Sequence, residues 1–136
     1  MPRRPEDFTE PIKRVLAQRV GYRCSVCLRL TSGPSSDGTS LNTGIGCHIK
    51  GAKPDAKRYD PNQTPDERRS QENGIWTCAI CSKVIDTDDV KFTVDYLLNL
   101  KGIAEQRAEL DQRGTPAAAP ERRSSERNPA DFAFAR

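Results

Sequence analysis

Three observations in this sequence predict a small α+β domain clamped by a metal ion. Two Cys-x2-Cys pairs, Cys24-Ser-Val-Cys27 and Cys78-Ala-Ile-Cys81, stand well apart in the chain. Apolar residues are only 35% of 136, so any core must be small. Short alternating patterns lie between longer stretches of helical periodicity. A small core needs a staple, and bound zinc is a common one. Such an ion contributes roughly 10 kcal/mol or more to the folded state, comparable to the whole stability of a domain.

The elements follow in order. Thr9 caps a helix over Glu10–Val20, with Pro11 in its first turn, an apolar stripe of Ile12, Val15, Leu16 and Val20, and Gly21 as its stop. Cys24 to Cys27 form a tight knuckle. Residues 31–44 are rich in Ser, Gly, Thr and Asn and predict a loop. Ile45, Cys47 and Ile49 alternate with Gly46 and His48, which predicts a short strand. That alternation sets His48 toward a cleft and the isoleucines toward the core. Thr64-Pro65-Asp66-Glu67 is a capping box for a short helix to about Gln71. Asn73-Gly74 signals a turn, and Ile75-Trp76-Thr77 a second strand. A helix then starts at Ala79, carrying Cys81, Ser82 and Asp86. Thr93 caps a last helix to about Gln112, locally weakened by Gly102. Residues 1–112 form one domain, and the Pro-, Ala-, Ser-, Arg- and Glu-rich residues 113–136 predict a disordered tail in which terminal fraying outweighs a docking role for Phe132 and Phe134.

The cysteine count is five, which argues against a disulfide framework. The N-terminal residues have no apolar signal core, and no apolar run is long enough to span a membrane. A reducing, cytoplasmic setting is the expectation, and there Cys-x2-Cys pairs read as metal sites. Cys24, Cys27, Cys78 and Cys81 supply four thiolates, enough for one closed tetrahedral zinc. A closed site does no chemistry, so it leaves the sole histidine, His48, for another task. Net charge is +3, but Lys50, Lys53, Lys57 and Arg58 cluster just after His48. That cluster suits a polyanion such as a nucleic-acid backbone, or is simply a solvated basic loop.

Knuckle, strand, excursion, strand, second thiolate pair, helix is the order of a treble-clef zinc finger. The sequence resembles the HNH endonuclease family, the ββα-metal nucleases, through Cys24-x2-Cys27, Gly46-Cys47-His48-Ile49, Glu72-Asn73-Gly74-Ile75-Trp76 and the run from Cys78 to Asp88. Arg58-Tyr59-Asp60-Pro61 and Thr64-Pro65-Asp66-Glu67 resemble a subgroup linked to bacterial defence against phage. The resemblance spans roughly residues 8 to 100. It implies a DNA-cutting enzyme in which His48 is the general base, Asn73 holds the histidine loop, and a helix residue binds a catalytic divalent ion such as magnesium or manganese.

An ordinary imidazole pKa of about 6.5 suits the base role. The helix positions for the ion fall on Ser82 and Asp86, one turn apart. Asp86 is the hard oxygen donor, or else one member of an acidic run with Asp88 and Asp89. Cys47 departs from the common pattern, where Asp or His precedes the histidine. It is either a soft thiolate favouring a transition metal or a small buried residue. Partners implied are DNA, with a homodimer or a larger defence complex as options. The alternative function is a non-catalytic treble-clef zinc module that binds nucleic acid or protein.

Overall fold

The computed structural model describes residues 6–114, so the expected tail beyond residue 114 and its phenylalanines lie outside the described residues. The described residues are mixed α+β with two small two-stranded sheets. Helix α1 (Glu10–Arg19) is capped by Thr9, whose hydroxyl accepts from Ile12 N. Gly21 ends it with φ +65°. Strands β1 (Ser32–Pro34) and β2 (Ser40–Asn42) pair as a hairpin where the sequence predicts a loop. Asp37 Oδ1 accepts from both the N–H and the hydroxyl of Thr39, and Gly38 has φ +92°, which together make the turn. The strands are short, polar and half to fully exposed, so they carry no hydrophobic alternation to betray them.

Strand β3 (Gly44–His48) pairs antiparallel with β4 (Gly74–Cys78). Between them lies α2 (Pro65–Arg68), shorter than predicted, followed by a 3-10 turn over Gln71–Asn73. Both halves of the Thr64–Glu67 capping box are formed. Helix α3 (Ala79–Thr87) starts directly from β4, with Cys78 as its cap: the Cys78 sulfur accepts from Cys81 N. Helix α4 (Val94–Arg113) is capped by Thr93 and runs unbroken through Gly102.

The β3–β4 hairpin is the centre of the molecule, and each of its faces has its own core. Ile45, Cys47, Ile75 and Thr77 share one face by register. There Cys47 and Ile75 pack with Ile49, Ile85, Phe92 and Leu97. Gly44, Gly46, Gly74, Trp76 and His48 share the other. Phe8, Leu16, Ala17, Val20 and Ala104 pack there around Trp76. A Cβ at Gly44 would lie 2.2 Å from the Trp76 ring, and one at Gly74 would lie 2.6 Å from Leu16. Glycine is therefore required where the ring and the helix close down on the strands.

One orientation predicted for β3 needs correction. Ile49 is buried, but Ile45 is 41% exposed because it lies at the far end of the strand. His48 lies on the face opposite Cys47, as expected: its imidazole lines a cavity and stacks on Phe8 at the edge of the α1 core, with ring centres 4.1 Å apart.

Candidate metal centre and histidine cavity

The four thiols predicted to share a metal come together, with their sulfurs all within 4.8 Å of one another. Each pair is shaped by its own backbone. In the knuckle, Val26 N and Cys27 N both donate to Cys24 Sγ at 3.4 Å. Leu28 takes a left-handed φ of +68° to close it, and its N–H donates to the Cys24 carbonyl. In the second pair, helix α3 opens on Cys78, so Cys81 N reaches back to Cys78 Sγ at 3.4 Å. Ser25 N donates to the Trp76 carbonyl and docks the knuckle beside β4.

The donor set fits a thiophilic ion. Four sulfurs at about 2.3 Å from one zinc would be about 3.8 Å apart, and Cys27 Sγ and Cys78 Sγ are 3.8 Å apart. Burial pushes the Cys78 thiol up, but the Cys81 N–H and neighbouring thiols outweigh it and bring it down to about 7. Burial pushes Cys27 and Cys81 up, as crowding among thiols does. An ion relieves that crowding, since cations favour thiolates. The cluster is thus able to hold a metal such as zinc.

His48 ends β3 and Asp86 lies on the exposed side of α3. Both line one cavity of about 300 Å³, together with Cys47, Ser82, Lys53 and Lys57. The His48 Nε2 is 2.8 Å from the Glu6 carbonyl oxygen. A carbonyl can only accept, so Nε2 is the donor.

Asn73 is buried at 6% exposure, and its amide grips the turn after His48. Its Oδ1 accepts from Lys50 N, while its Nδ2 donates to the carbonyls of Lys50 and Arg68. Asn73 thereby joins the end of β3 to the segment before β4.

The cation cluster divides. Lys53 and Lys57 are exposed on the cavity. Lys50 pairs with Asp60 at 3.3 Å. Arg58 turns inward: Nε donates to the Ile49 carbonyl, and Nη1 to the carbonyls of Ile85 and Phe92. Burial lowers the Arg58 pKa, against the pull of Asp86 and Asp89. Its guanidinium ties β3 to the end of α3 and the following loop, a structural duty invisible in a run of basic residues.

Cys47 resolves as a buried residue. It is 5% exposed and its sulfur is 3.2 Å from Thr77 Oγ1. Burial pushes its thiol up, which disfavours the thiolate a soft metal would need. Ser82 is buried beside it. Among the described residues the four-cysteine cluster is the one group of three or more candidate ligands drawn together. The cavity therefore offers an incoming ion two exposed carboxylates, Asp55 and Asp86. That matches magnesium, which takes one or two carboxylates and completes its shell with water and phosphate oxygens.

Sequence reasoning missed the segment before α1. Glu6 and Phe8 touch His48, yet they lie 42 and 40 residues away from it in the chain, and no local pattern marks such a contact. No helix among the described residues is long and apolar enough to cross a membrane. No protein-family model and no curated protein matches the chain.

Proposed function

We propose that the chain is an HNH-type, metal-dependent DNA endonuclease built on a treble-clef scaffold whose structural zinc is bound by Cys24, Cys27, Cys78 and Cys81. The observation that carries this reading is the shared cavity: a histidine from β3 and a carboxylate from α3 reach one space rimmed by exposed lysines.

His48 takes a proton from water. The water oxygen bonds to phosphorus as the bond from phosphorus to the 3′ oxygen breaks, and the leaving oxygen takes a proton from solvent. Asn73 fixes the turn after His48 through the Lys50 backbone. Lys53 and Lys57 neutralise neighbouring phosphates, which gives affinity without reading bases. Asp86 would hold a divalent ion, which when bound would supply stabilisation of the charge that develops on the phosphate and leaving oxygen.

Supercoiled plasmid, incubated with magnesium, manganese or nickel, tests the proposal. The wild type nicks it, while His48→Ala and Asp86→Ala are slower by about 100-fold or more. Equal cleavage by all three proteins sinks the enzyme reading. The same preparation contains about one zinc per chain, as four thiolates require.

A second reading is a zinc module that binds nucleic acid without cutting it. What favours it is the packing of His48 against Phe8, which resembles that of a core aromatic. Retained gel retardation with no cleavage by the wild type selects this alternative.

A further inference from the structure

We propose that the stretch Glu6–Phe8, ahead of α1, is a positioning element for His48: it holds the ring in its Nε2–H form, so that Nδ1 carries the lone pair. This deepens the nuclease reading and rests on it for its catalytic consequence. Three observations carry it. The Glu6 carbonyl oxygen is 2.8 Å from Nε2, and it accepts only. In a neutral imidazole one nitrogen bears the proton and the other the lone pair, so a donor at Nε2 fixes the basic atom as Nδ1. The Phe8 ring lies nearly parallel to the imidazole, at 13° and 4.1 Å, which fixes the plane in which that lone pair lies.

Phe8 is itself immobilised. It is 3% exposed, sits in the core with Leu16, Ala17 and Val20, and directly precedes the Thr9 cap of α1. The glycines opposite it make this possible: Phe8 atoms lie 3.6 Å from a Cβ built on Gly46 and 3.1 Å from one built on Gly74. The route from scaffold to histidine is thus helix cap, phenylalanine, imidazole. A base fixed in tautomer and plane meets its water without reorganising, and small misplacements of such groups can cost about 100-fold in rate.

The test uses the full chain labelled with nitrogen-15. His48 is the only histidine, so the ring signals need no residue assignment, and Nε2 is told from Nδ1 by its two-bond couplings to both ring C–H protons. Above the imidazole pKa, the spectrum should show a protonated Nε2 and an unprotonated Nδ1. Nuclear Overhauser contacts should join the His48 and Phe8 rings. A protonated Nδ1, or the absence of those contacts, overturns the proposal, and this arm needs no variant.

The second arm compares plasmid cleavage by the wild type and Phe8→Leu, which keeps an apolar side chain but loses the stack. The variant should lose the upfield ring-current shift of the His48 protons, and kcat should fall about tenfold or more with KM little changed. An unchanged kcat with the stack demonstrably gone overturns the positioning role. A wild type that cuts nothing removes the nuclease reading and the catalytic consequence with it, while the nitrogen spectrum still decides the tautomer.

Discussion

The two faces of the β3–β4 hairpin solve the same packing problem in opposite ways. One face is aliphatic: Cys47 and Ile75 fill the space under α3 and α4, with Ile49, Ile85 and Leu97 around them. The other is made mostly of glycine: Gly44, Gly46 and Gly74 leave room for the Trp76 ring, Leu16 and Phe8 to approach the backbone. The first face gains stability from its own side chains. The second gains it from Trp76 of β4, from Phe8 and from side chains of α1, and His48 lies at its edge. The strand pair is therefore packed on both sides although three of its ten residues are glycine.

The largest expected effect removes what joins the faces. Cys78 ends β4, caps α3 and supplies a thiol to the four-cysteine cluster. Cys78→Ser, or a strong chelator, should cost roughly 10 kcal/mol if the cluster holds structural zinc. Circular dichroism before and after metal removal measures this, and a chain that stays folded without metal breaks the idea of a clamp.

Next come the two faces separately. Ile75→Ala should cost about 2–5 kcal/mol by leaving a cavity in the aliphatic core. Gly44→Ala acts by overpacking, since the new methyl would meet the buried Trp76 ring. That should cost about 1–3 kcal/mol or more and disturb tryptophan fluorescence, which Ile75→Ala should change less. Denaturant midpoints for the pair decide whether the asymmetry is real.

Smaller effects sharpen the view of the loop between the strands. Arg58→Ala leaves three backbone carbonyls without a charged donor and should cost about 1.5–3 kcal/mol. Lys57→Ala, its exposed neighbour, should stay within about 0.5 kcal/mol yet weaken DNA retention and flatten its salt dependence. Equal stability of the two variants would return Arg58 to the solvated cluster. Smallest of all, Gly102→Ala in α4 should stabilise by about 0.5–1 kcal/mol, because an added methyl meets nothing within 4 Å. Thermal melts read that shift directly.

Much of the fold was legible from local chemistry. Thr9, Thr64 and Thr93 each cap a helix, because a hydroxyl one residue ahead of a helix satisfies an N–H that the helix cannot. The four clustered cysteines were legible too, because Cys-x2-Cys encodes its own turn. The β1–β2 hairpin was not, because exposed strands of three residues leave no periodic trace. Nor was the division of the basic run, because Lys57 and Arg58 differ only in which way the chain turns: Arg58 takes a φ of +61° and sends its side chain inward.

By itself the sequence determined the helix starts, the two core strands and the two Cys-x2-Cys turns, since each depends on residues a few positions apart. The tertiary structure alone decided which residues surround His48, that Cys47 is buried against Thr77, and that Asp86 shares a cavity with the histidine. Those contacts join residues 30 to 42 positions apart, or join separate elements. They form only once the hairpin faces are covered, and that packing minimises exposed apolar area over the whole chain at once.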